Sequence, residues 1–190
     1  MANKDTIALS EDQYIEIIET MREGGVNFRP NEQIATILIL EANLGLRISD
    51  IMLLKPTSFV KEYNRYRLNI KEKKTKKERK FMVPDAIYSF IKDYWERHDK
   101  KPDDYIFDCG IRNVQLYLEK VVDYLGYEGN IGTHSFRKFF SHQILVNNGY
   151  NVALVSKLLQ HSSIAITQRY LGIDSKEMEE ALANHVYIPQ

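Results

Sequence analysis

The hydrophobic pattern changes period in the middle of the chain, and that change constrains the fold more than any other feature. Before Pro56 and again after Asp85, apolar residues recur three or four apart, the helical spacing. Between them, Ser58–Glu62, Tyr66–Ile70 and Lys80–Val83 read as three short strands. Glu62-Tyr63-Asn64-Arg65 makes the first turn and a lysine-rich segment the second. A sheet this small needs helices on one face to be stable. The expected fold class is mainly α with a small three-stranded antiparallel β-sheet. A length of 190 residues suits one domain. No linker is long enough to divide it, so residues 1–190 read as one domain, with a core over about 10–174.

The helices have legible starts and stops. Ser10 opens the first with a capping box to Gln13, and Tyr14, Ile17, Ile18 and Met21 form its apolar face. Gly24 and Gly25 end it. Pro30 opens the second at a first-turn position, and the helix runs to Gly45. Ser49 caps a short third. Ala86–Arg97, Arg112–Leu125 and a helix from a Thr133 cap to Val146 follow. Asn151 caps Val152–Leu159, Ser162 or Ser163 caps Ile164–Tyr170, and Ser175–His185 is the last helix.

Charge is balanced in total and uneven in place. Lys and Arg number 26, as do Asp and Glu, which argues against a chain that is basic all over. Residues 61–80, however, hold 10 basic and 3 acidic side chains. Blocks of this kind often touch phosphates. The longest apolar runs, such as Ile34–Leu40, are too short for a membrane span, and the first residues show no signal sequence. The single cysteine, Cys109, makes no internal disulfide or cysteine zinc site, so a reducing, cytoplasmic setting is the simplest inference. Cys109 reads as a small, partly buried side chain.

Several polar residues are unremarkable singly. Arg47 follows a helix end. His134 and Arg137 lie one helical turn apart and share a face. His161 comes 24 residues after Arg137, and Tyr170 nine after that. The order is what is specific: Arg, basic hairpin, His-x-x-Arg, His, Tyr. Here the chain resembles the tyrosine recombinases, the integrases of phages and mobile elements. The matching stretches are ANLGLRISDIMLL, IKEKKTKKERKFMVP, GTHSFRKFFSHQILVNNG and VSKLLQHSSIAITQRYLGI, and the resemblance spans about residues 10–185.

The resemblance implies the tyrosine recombinase catalytic-domain fold and site-specific DNA cleavage and rejoining. A phosphodiester is a poor electrophile, and two guanidiniums can clamp its non-bridging oxygens. Arg47 and Arg137 match the family's two arginines. His134 matches an acid–base position, and His161 one that hydrogen-bonds the phosphate. Tyr170 matches the nucleophile, whose ordinary pKa near ~10 requires activation. Attack gives a 3′-phosphotyrosyl intermediate and a free 5′-hydroxyl. A hairpin lysine protonates that leaving oxygen: Lys74 first, with Lys76 as alternative and Lys73 a weaker one. Asp50 matches an acidic position where a carboxylate could orient Arg47. Lys73, Lys76, Lys77 and Arg79 are expected to meet DNA.

The scheme implies no metal and no nucleotide cofactor, and the sequence contains no phosphate-binding glycine loop and no HExxH. The implied partner is double-stranded DNA, bound as a tetramer, with a monomer or weak dimer in isolation, in the cytoplasm of a bacterium or phage host. The core-binding domain of full-length recombinases is expected to be absent. The helix after Tyr170 docks either on its own domain or on a neighbouring subunit. A type IB topoisomerase and a catalytically silent DNA-binding module are the competing readings.

Overall fold

The computed structural model describes residues 6–172. The described residues divide into two compact units, residues 6–140 and 141–172.

The first unit is built around α2 (Glu32–Leu44). This helix is apolar on nearly every side, and ten of its thirteen residues are buried, so it can only be a central helix. Asn31 caps it, its side chain accepting from the Ile34 amide, and Pro30 stands just before the cap rather than inside the helix. α1 (Glu11–Glu23) packs on α2 and on α5 (Ile111–Leu125). The Ser10–Gln13 capping box forms, and Ile17, Ile18 and Met21 are buried as their spacing predicts. Fully buried side chains such as Leu38 and Leu40 contribute roughly 1.5–3 kcal/mol each.

The short α3 (Ile48–Ile51) follows, with Arg47 at its cap position and Ser49 inside it, so the cap lies two residues earlier than the sequence suggests. β1 (Phe59–Glu62), β2 (Arg65–Lys71) and β3 (Glu78–Val83) then form the antiparallel sheet in the order β1-β2-β3. Phe59 faces Leu68, and Leu68 faces Phe81, so all three lie on one side. α4 (Asp85–Arg97) covers that side: Phe59 packs against Tyr88 and Trp95, with ring centroids 6.0 and 5.4 Å apart. Cys109 is partly buried. Residues 133–140, the first half of α6 (Thr133–Asn147), complete the unit, with Thr133 the first helical residue rather than the cap.

The second unit holds the rest of α6, α7 (Val152–Leu159) and α8 (Ile164–Leu171). Asn151 caps α7 and Ser163 caps α8. α7 packs on α8, and Val155, Leu159 and Thr167 are buried. The helix expected over Ser175–His185 lies outside the described residues.

Candidate active site

Arg47 is placed by a glycine. Gly45 ends α2 with φ +57°, a left-handed conformation that any side chain strains. A Cβ at Gly45 would also lie 2.4 Å from the Phe140 ring. The tight turn delivers Arg47 in extended conformation at the head of α3. Its Nη1 donates to Glu72 Oε2 at 2.6 Å, and the side chain keeps 18% exposure.

The β2–β3 hairpin carries the lysines. Its loop closes by the Glu72 amide donating to Lys77 O and the Lys76 amide to Glu72 O. Lys76 takes the left-handed corner, with φ +59°. Lys73, Lys74, Lys76 and Lys77 are all exposed. The Lys73 amide donates to Asp50 Oδ1 at 2.8 Å, so buried Asp50 holds the loop. The carboxylate that meets Arg47 is that of Glu72, not of Asp50 as the sequence suggested.

Arg79 requires a correction. Sequence reading grouped it with the phosphate-facing lysines, yet it is 2% exposed. Its Nη1 donates to Glu72 Oε1 at 3.2 Å and its Nη2 to Leu44 O at 3.1 Å. The strand's alternation explains this: Arg79, Phe81 and Val83 share the inward face of β3.

Arg137 is almost fully buried on α6, at 1% exposure. His134 sits one turn earlier and is exposed on one side. Desolvation, then the charges of Arg137, Arg47, Lys138 and Lys74, hold its imidazole below the usual histidine range. The ring is therefore neutral near pH 7 and able to accept a proton. Arg47, Lys74, His134 and Arg137 thus share one electrostatic neighbourhood in the first unit. Burial pushes Glu41 of α2 well above the carboxylate range, against the opposing pull of Arg137 and of the Ile48 amide.

In the second unit, the His161 ring lies edge-on to Tyr170, with centroids 5.5 Å apart at 81°. His161 Nδ1 is 2.9 Å from the hydroxyl of buried Thr167. This contact fixes the orientation of the ring. Neither Glu72 nor Thr167 was singled out from sequence. Among the described residues, no group of three or more His, Cys, Asp or Glu forms a metal-ligand set.

A sequence model of the phage integrase family matches residues 8–177. The chain belongs to the phage integrase family. The probable integrase/recombinase YoeC of Bacillus subtilis is 34% identical over 145 residues, which cover 73% of this chain and 76% of that protein. Tyrosine recombinase XerA of Pyrococcus furiosus is 26% identical over 185 residues, covering 92% of this integrase chain and 60% of its own length. The structure of XerH site-specific recombinase bound to palindromic difH substrate, a post-cleavage complex, superposes with a TM-score of 0.72 at 20% identity. That match covers 96% of this chain and 54% of the other. The fold is that of a tyrosine recombinase catalytic domain. Among the described residues, no helix is long and apolar enough to cross a membrane.

Proposed function

We propose that this chain, its two units acting as one catalytic domain, cleaves and rejoins duplex DNA at specific sites. Membership of the integrase family is the observation that carries the reading, and the order Arg47, His134, Arg137, His161, Tyr170 supports it. Tyr170 Oη attacks the scissile phosphorus, and the bond to the 5′-oxygen breaks. Neutral His134 accepts the tyrosine proton. Arg47 and Arg137 offset the charge that builds on the non-bridging oxygens, and His161 hydrogen-bonds one of them. Lys74 donates a proton to the departing 5′-oxygen and recovers it on rejoining. The charge of Lys74 acts on His134, which supports Lys74 as the acid, and Lys76 is the alternative. The phosphotyrosyl ester conserves the energy of the broken bond, so neither metal nor nucleotide enters the scheme.

Exposed Lys73, Lys76 and Lys77 approach the phosphate backbone. The working form is a tetramer on DNA, in the cytoplasm of a bacterial cell. The test is a nicked suicide duplex carrying the junction sequence of the element that encodes the chain. The protein is expected to form a covalent adduct on a denaturing gel, and Tyr170→Phe none. Absence of the wild-type adduct, or its persistence in Tyr170→Phe, refutes the mechanism.

A further inference from the structure

We propose that Glu72 is a positioning residue, its buried carboxylate tying the lysine-bearing loop of the β2–β3 hairpin to Arg47. The inference rests on the recombinase reading above and adds a residue to it.

The Glu72 side chain has no exposed surface. Oε2 accepts from Arg47 Nη1 at 2.6 Å and from the Thr75 hydroxyl at 2.8 Å. Oε1 accepts from Arg79 Nη1 at 3.2 Å. Its amide and carbonyl close the loop through Lys77 and Lys76. Burying a carboxylate is costly unless it is paired and hydrogen-bonded, and this one is both. Burial raises its pKa, but Thr75, Arg47 and Arg79 prevail and hold it below the ordinary carboxylate range.

Lys74 therefore lies between two anchors. Lys73 is held by Asp50, and Thr75 by Glu72. Arg79 extends the link to Leu44 O, in the last turn of α2 and just ahead of the glycine that places Arg47. Arg47 gives Glu72 one of its five N–H donors and keeps the others for an anion. One carboxylate thus sets the arginine and the loop of the acid lysine relative to each other.

Glu72→Gln keeps the shape and removes the charge. Adduct formation is measured on two nicked duplexes of the junction sequence, one with the normal 5′-oxygen and one with a bridging 5′-sulfur. A thiolate leaves without a proton, so it does not need Lys74. Glu72→Gln is expected to slow cleavage of the oxygen substrate about tenfold or more, part of what a general acid supplies. It should slow the sulfur substrate much less, and Glu72→Asp should restore part of the loss. Equal slowing of both substrates means that the carboxylate does not act through the loop of Lys74 and overturns the proposal. So does no slowing, or acceleration, which would make Glu72 a lock on Arg47.

If Glu72→Gln does not fold, Thr75→Val, which cuts one strand of the anchor, carries the same comparison with a smaller effect. If the wild type cleaves neither duplex, the recombinase reading fails. Amide exchange of residues 73–77 then decides the placement: faster in Thr75→Val upholds the anchor, and unchanged exchange overturns it.

Discussion

At the scale of single residues, the chemistry of the site depends on which groups are charged. His134 is held below its usual value of 6.5 by desolvation and by four cations. A depressed histidine contributes stability that is present above the unfolded value and lost as pH falls through the folded one. We expect the His134 resonance of the free protein to titrate below 6.5 by NMR; a midpoint at or above that value would show that burial and the neighbouring cations do not depress it. Glu41 has the opposite sign. Its folded value is raised well above 4.5, so its contribution is present below that pH and is lost as pH rises through the folded value. Glu41→Gln should therefore gain on the wild type in melting temperature from about pH 5 to about pH 8, by roughly 2–4 °C per kcal/mol relieved. A constant difference across that range would show that the fold does not raise the Glu41 pKa. The roles proposed for Arg47, His134, Arg137, His161 and Tyr170 rest on residue types and an order that resemble a known family. Glu72 and Arg79 left a signal that went unused. Counting by twos from Leu68 and Ile70 reaches Glu72, and from Val83 and Phe81 reaches Arg79. Two opposite charges on the inward face of one hairpin form a buried pair. The lysines around them made the segment look solvated throughout.

At the scale of elements, the change of period gave the helices and strands almost residue by residue, because each apolar face had a partner to pack on. Caps were less legible. Pro30 and Asn31 both favour a helix start, and the structure uses the side-chain acceptor of Asn31. Ser49 is a good cap by type, but the turn at Gly45 starts α3 earlier, at Arg47. That turn is the point where local conformation and catalysis meet. Gly45→Ala would force a side chain into the left-handed region and against Phe140. The two effects together should cost about 2–4 kcal/mol of stability. We expect a lower denaturant midpoint and, in the folded fraction, slower adduct formation because Arg47 is displaced. A variant as stable and as active as the wild type would show that the turn tolerates the side chain and does not place the arginine.

At the scale of the whole chain, a net charge of zero conceals an arrangement that suits a polyanion partner. The division at residue 140 was not legible, because the helical pattern from Thr133 to Val146 continues across it without a linker. The charge arrangement was legible as a block, but its sign conceals two kinds of residue. Arg79 is inside, paired with Glu72, and adds nothing to the surface field. Lys73, Lys76 and Lys77 are outside and free to meet phosphates. Each phosphate neutralised adds about 0.9 to the steepness with which log affinity falls against log salt. Replacing these three lysines with alanine should therefore flatten that dependence by about 2.7, read by anisotropy of a labelled junction duplex between about 50 and about 200 mM salt. An unchanged slope would mean that the hairpin lysines do not touch the backbone and that the basic block is a solvated tip. An unchanged slope with lost cleavage would separate the two roles of the loop. Lys74 and its anchors would then serve chemistry alone, and the contacts that hold DNA would lie elsewhere on the chain.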